Sequence, residues 1–197
     1  VPKLKGKVFV GVDCSGSMRS PVTGNRGAAT TRISCNQVAS LIAASLLRVC
    51  DDAEILRFDE RAEYIKLNSR DSVMTNTQII GMNGGGTDCS SVLRLLNRGN
   101  KKGDVVVIVS DNESWTSPRS YITGTPLANE WETFKARNPR AKLILIDLAP
   151  YSTVQAKNQT DVLNVAGFSD NVFEAMSAFI EDGSSTSWVD KIESLVI

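Results

Sequence analysis

The chain has 197 residues, enough for one α/β domain with a substantial core. Lys+Arg and Asp+Glu both total 22, so the formal net charge is zero; this excludes a chain whose whole surface is built to hold nucleic acid. No apolar run reaches the roughly 18 residues of a transmembrane helix, and no signal-peptide pattern opens the sequence.

Histidine is absent, and the four cysteines (Cys14, Cys35, Cys50 and Cys89) form no Cys-x-x-Cys pair. That argues against a zinc site and leaves them reading as buried, reduced thiols of a cytoplasmic protein. The start at Val1 without an initiator Met is read as a mature product or, by preference, a fragment of a longer polypeptide.

In chain order, Lys3 to Lys7 is a basic lead-in to a buried strand over Lys7 to Val12. The strand runs into Asp13-Cys14-Ser15-Gly16-Ser17. Three short oxygen donors spaced two apart, just past a strand's carboxyl end, can converge on one hard cation, and Gly16 lets the backbone turn tightly between the serines. Mg²⁺ keeps several waters, so a few protein oxygens suffice.

Arg19 to Thr31, rich in Gly, Ser, Thr and Asn, is a polar loop carrying Arg19 and Arg26 at the rim of that motif. A partner-contacting loop and an ordinary surface insertion are both open readings. Ile33 to Val49 reads as a helix whose inward side holds Val38, Leu41, Ile42, Ser45, Leu46 and Val49.

Ala53 to Phe58 is a second strand, and Ala62 to Leu67 follows it as an antiparallel edge hairpin. Helices are expected over Asp71 to Met82 and over Asp88 to Arg98, the latter capped by Asp88. Before it, Gly84-Gly85-Gly86-Thr87 offers a flexible approach and another hydroxyl. Asp104 to Ser110 is a strand buried on both faces that ends in a carboxylate, Asp111, followed by Asn112 and Glu113.

Asn112 to Gly124 is a second rim loop with Trp115, Arg119 and Tyr121; Trp115 is read either as a binding aromatic or as folded onto the core. A helix over Pro126 to Arg137 turns Leu127, Trp131 and Phe134 inward, and Ala141 to Leu148 is the next strand. Asp161 to Leu163 is expected to begin a short helix, Val165 to Phe168 to form a last short strand, and Phe173 to Ile180 to lie in a closing helix. Residues 1–183 then form one domain, and 184–197 a linker with an amphipathic segment. Alternating strands and helices give a Rossmann-like, doubly wound, mostly parallel six-stranded sheet with one antiparallel edge strand and helices on both faces.

With its three motifs in place, the chain resembles a von Willebrand factor A domain with a metal-ion-dependent adhesion site. The resemblance implies that Asp13, Ser15, Ser17, Thr87 and Asp111 surround one divalent cation, Mg²⁺ or another such as Mn²⁺ or Ca²⁺. Asp88, Asn112 and Glu113 then stand next to the ligands. The strings Gly85-Gly86-Thr87-Asp88-Cys89-Ser90 and Asp111-Asn112-Glu113 are more narrowly similar to the A domain of the Ro autoantigen (TROVE) family. Its members bind small non-coding RNAs through a separate ring of helical repeats. The implied role is a non-catalytic module that engages an acidic protein partner through its cation, with RNA held outside this chain and no membrane contact.

Two alternatives stay open. One is a structural metal site with RNA phosphates contacted by Arg19, Arg26 and Arg119 on the rim loops. The other is a Mg²⁺-dependent phosphatase-like enzyme, which the sequence disfavours. Ser15 stands where a second aspartate is expected, no histidine can serve as base for Ser15 or Ser17, and neither Gly-x-Ser-x-Gly nor a P-loop occurs.

Overall fold

The computed structural model describes residues 4–24, 27, 31–111, 125–149, 160–169 and 171–182. Six strands form one sheet: β1 (Lys7–Asp13), β2 (Asp52–Phe58), β3 (Ala62–Ile65), β4 (Val105–Ser110), β5 (Lys142–Asp147) and β6 (Val162–Ala166). Their order is β3-β2-β1-β4-β5-β6, with every neighbouring pair parallel except the antiparallel β2–β3 edge. Val10 of β1 sits between Ile55 of β2 and Val107 of β4. From β1 the chain leaves toward β2 on one side and later returns to β4 on the other. The winding therefore reverses between β1 and β4, and their carboxyl ends mark the switch point at which sheets of this kind bind ligands.

Strand alternation divides the core. Val8, Val10 and Val12 point into one apolar layer with Val107, Ile144 and the helices α1 (Cys35–Val49), α2 (Val73–Ile80) and α5 (Asn171–Asp182). Phe9, Leu56, Val106 and Ile108 point into the other, against α3 (Ser90–Arg98) and α4 (Pro126–Arg137). The six residues of β4 are all buried, as a central strand covered on both faces must be. At Gly11 a Cβ would lie 2.8 Å from Val92 Cγ2, so α3 packs directly on the backbone of β1.

Local chemistry sets the ends of the helices, and several differ from the sequence expectation. The first helix begins at Cys35 rather than Ile33 because Ser34 closes a capping box: Gln37 N donates to Ser34 Oγ (3.3 Å) and Ser34 N to Gln37 Oε1 (2.9 Å). Ile33 is consequently outside the helix and exposed. Leu41, expected inward, is exposed, because Cys35, Val38, Ala39, Ile42, Ala43 and Leu46 already fill the buried stripe. The second helix is shorter than Asp71 to Met82, starting after the Ser72 cap and ending at Ile80, before Gly81 at φ +59°. Residues Asp161 to Leu163 do not start a helix. Val162 and Leu163 pair with Leu143 and Ile144 of β5, which gains more than one helical turn beside a sheet edge, and the last strand ends at Ala166 rather than Phe168.

The Pro126 to Arg137 helix has its expected bounds, with Leu127, Trp131 and Phe134 buried. All four cysteines are buried thiols, none in a disulfide; Cys14 and Cys89 lie in opposite apolar layers. The rim loop at Asn112 to Gly124, Arg26 and the C-terminal segment after 182 fall outside the described residues. No helix among the described residues is long and apolar enough to cross a membrane.

Candidate metal centre

Oxygen donors gather at the switch point. Asp13 ends β1 and is fully buried, and Ser110 ends β4 beside it. The Asp13 carboxylate is held at both oxygens: Ser15 N donates to Oδ1 (2.8 Å) and Ser110 Oγ to Oδ2 (2.6 Å). The chain then turns into a short 3₁₀ segment at Ser17–Arg19, with Met18 driven into the core beneath it and Arg19 exposed at the rim. That turn brings Ser15 Oγ to 3.2 Å from Ser17 Oγ, and Ser17 Oγ donates to Asp111 Oδ1 at 3.2 Å. Asp13, Ser15, Ser17 and Asp111 thus form one connected cluster drawn from two strand ends.

A second segment is fastened to this turn by backbone bonds. Asn83 N and Gly84 N both donate to Cys14 O (3.1 and 3.0 Å), and Gly16 N donates to Gly85 O (3.1 Å). Gly84 and Gly85 have φ of +82° and +94°, which a side chain would strain, so the glycines permit this close approach. Thr87 is half-buried at the far end of the segment. Asp88, expected as a cap, accepts from Ser90 N (3.0 Å) just ahead of α3, and its other carboxylate oxygen takes a bond from Arg94 Nη1 (3.0 Å). Both carboxylate bonds go to residues of α3, which starts at Ser90 with Cys89 rather than Asp88 as its N-cap residue. Asn112, Glu113, Trp115 and Arg26 lie outside the described residues.

Two buried residues of the cluster escaped the sequence reading. Ser110 holds Asp13 Oδ2, and its one signal is a hydroxyl closing an otherwise wholly apolar strand. Asn36, in the first turn of α1, donates from Nδ2 to Asp13 O (3.3 Å) and approaches Cys14 Sγ (3.7 Å). By residue type alone an asparagine in a first helical turn carries no signal of that contact.

Burial pushes the Asp13 carboxyl up to about 6 from 3.8. Hydrogen bonds from Ser110 and Ser15 oppose the rise and the neighbouring Asp111 charge adds to it. A buried carboxyl whose ionised form is disfavoured is a place where positive charge is wanted. Burial, and then the Asp13 charge, also push the Cys14 thiol up to about 12, which keeps it inert.

The donor set suits a hard cation. Oxygens around an octahedral Mg²⁺ at about 2.1 Å stand about 3 Å apart, close to the 3.2 Å steps from Ser15 to Ser17 to Asp111. Among the described residues no group of three or more His, Cys, Asp or Glu side chains could hold a metal, so a site here relies on hydroxyls rather than thiolates or imidazoles.

The family model described as the Ro60 vWA domain matches residues 7–180. Among solved structures, the Ro (RSR) protein of Deinococcus radiodurans superposes with a TM-score of 0.72 at 24% identity, over 90% of this chain and 34% of that one. The chain thus spans about a third of the length of that protein. Proximal thread matrix protein 1 of the mussel byssus, solved with a zinc-occupied MIDAS motif, gives a TM-score of 0.53 at 16% identity, covering 91% of this chain and 48% of its own. The BatB protein of Bacteroides thetaiotaomicron gives 0.52 at 12% identity over 90% and 98%. At such identities these likenesses establish the fold. No curated protein matches the chain.

Proposed function

The chain belongs to the Ro60 vWA domain family, and from that membership we propose that it is a non-catalytic binding module that engages an acidic protein partner through a divalent cation. Asp13, Ser15, Ser17, Thr87 and Asp111 are its ligands, and Mg²⁺ is the preferred ion, with Mn²⁺ or Ca²⁺ as substitutes. The observation that carries the reading is the continuous set of contacts from Asp13 through Ser15 and Ser17 to Asp111 at the switch point.

Only Asp13 and Asp111 in that set bring formal charge. A cation bound there keeps its affinity for an outside carboxylate, which is what a partner's Asp or Glu would supply. Burial, the Ser15 N–H and the Ser110 hydroxyl fix Asp13, and the Ser17 hydroxyl holds buried Asp111, before any ligand arrives, so little reorganisation is left to binding. No histidine is available to activate Ser15 or Ser17, which favours binding over hydrolysis. The parent protein is proposed to be a Ro-like ribonucleoprotein, its small RNA held by parts outside this chain. The buried thiols agree with a reducing, cytoplasmic compartment.

The test is Mg²⁺ calorimetry on the wild type and on Asp13→Ala, followed by partner capture with and without chelator. Saturable binding lost in the variant, and capture lost to chelator, support the proposal. A folded wild type that takes up no divalent ion overturns it. Capture that resists chelator but falls steeply with salt favours phosphate contacts on the rim.

A further inference from the structure

Thr87 is the one proposed ligand that follows a run of glycines, tied to the β1 turn by backbone bonds alone. Residues 84, 85 and 86 are all glycine, and the first two occupy left-handed backbone. The turn on the other side of Thr87, at Asp88–Ser90, is firmly held. Asp88 N donates to Asp59 O (2.9 Å), Asp88 Oδ1 accepts from Ser90 N and Ser90 Oγ (3.0 and 2.5 Å), and Asp88 Oδ2 accepts from Arg94 Nη1 (3.0 Å). Arg94 Nη2 also donates to that Ser90 hydroxyl (2.7 Å), so one guanidinium grips both groups that fix the turn.

The grip is itself anchored on α4. Arg94 Nε lies 3.6 Å from Glu130 Oε1, Glu130 Oε2 accepts from Asn97 Nδ2 (2.6 Å), and Asn97 Oδ1 accepts from Arg137 Nη2 (2.5 Å). Polar contacts therefore run from the residue beside Thr87 to the middle and the C-terminal end of α4.

We propose that Arg94 is a positioning residue for the cation site, holding Asp88, and through it the Thr87 hydroxyl, in place from an anchor on Glu130 of α4. The inference rests on the proposed metal-binding role and adds a residue that the ligand motif does not contain. Partners outside the ligand shell typically govern 10–100-fold of metal affinity by orienting the ligands. Backbone bonds tie Asn83, Gly84 and Gly85 to the β1 turn ahead of Thr87, and the Arg94 grip supplies the matching hold on the residue after it.

The experiment measures Mg²⁺ affinity by calorimetry and apo melting temperature for wild type, Arg94→Ala, Arg94→Lys, Glu130→Gln, Thr87→Ala and the Arg94→Ala/Thr87→Ala double variant. Arg94→Ala is expected to weaken Mg²⁺ by about tenfold, with Arg94→Lys recovering part of the loss. In the Thr87→Ala background the same change is expected to cost nothing further, because its route to the metal has been removed. Glu130→Gln keeps the side-chain shape and reports on the anchor if Arg94→Ala folds poorly; it is expected to weaken Mg²⁺ by a smaller factor. Unchanged affinity in folded Arg94 variants, or a full additional loss in the double variant, overturns the role of Arg94 and leaves the metal site standing. Absence of Mg²⁺ binding by the wild type overturns both.

Discussion

The Ser110 hydroxyl donates to Asp13 Oδ2 over 2.6 Å across the seam between the last residues of β4 and β1. Both residues are fully buried, so no water can replace the bond. It is an O–H···O⁻ contact of the charge-assisted kind when Asp13 is ionised, and it opposes the upward push that burial exerts on that carboxyl. Ser110→Ala is expected to raise the Asp13 pKa further, lower stability by about 1–3 kcal/mol at neutral pH and weaken Mg²⁺ by about tenfold. Calorimetry and an NMR titration of the Asp13 carboxyl check it. Unaltered Mg²⁺ affinity would show that Ser110 only satisfies the core.

Gly11 and Val92 form a second contact of consequence, since a Cβ on Gly11 would sit 2.8 Å from Val92 Cγ2. Gly11→Ala is expected to destabilise the domain by about 1–3 kcal/mol through overpacking of α3 on β1. That corresponds to roughly 2–4 °C of melting temperature per kcal/mol for a domain of this size. Val92→Ala in the same chain removes the obstructing methyl, so the double variant should lose less than the two single losses together. Additive losses in urea melts would mean that the two residues do not meet.

The mostly parallel six-stranded sheet and its antiparallel edge hairpin were legible because each rests on a local signal. The apolar runs of β1 and β4 could only be central strands, and Asp13-x-Ser-x-Ser could only follow the first of them. The illegible parts depended on tertiary accounting. Leu41 fits the helical period as well as Ile42 does, yet the stripe facing the sheet was already full. Val162 and Leu163 look like a helical turn until β5 offers them a ladder. Ser110 and Asn36 are ordinary residues by type, and they acquire a role only when two distant segments close on Asp13.

The cysteines provide a test of burial at the candidate site. Cys14 and Cys35 are fully buried, and burial pushes their thiols up to about 12 and about 11. Thiolate is the reactive form, so native protein near neutral pH should leave both thiols unmodified by a disulfide or maleimide reagent. They should become reactive only with global unfolding. Saturating Mg²⁺ is expected to slow that labelling further by favouring the native state. Rapid labelling of Cys14 in the folded protein would mean that the loop over the site opens freely.

The strongest linkage expected is between pH, stability and the cation. In the apo protein Asp13 titrates near 6, against 3.8 when exposed. A carboxyl whose folded pKa is raised binds its proton more tightly in the native state, so its contribution is fully favourable below about pH 4 and is lost as pH rises through about 6. The difference amounts to about 3 kcal/mol once both states are ionised. Urea melts with chelator present should therefore show an Asp13-dependent fall in stability between about pH 4 and about pH 7, and the fall should be absent from Asp13→Asn. Mg²⁺ takes the ionised carboxylate, so a saturating concentration should offset the loss at neutral pH. Below about pH 6, apparent affinity should weaken by about tenfold per pH unit as the proton competes. A wild type and an Asp13→Asn variant with parallel stability profiles would mean that burial at the head of the β1 loop does not hold Asp13 protonated, and the electrostatic reason for a cation there would fail with it.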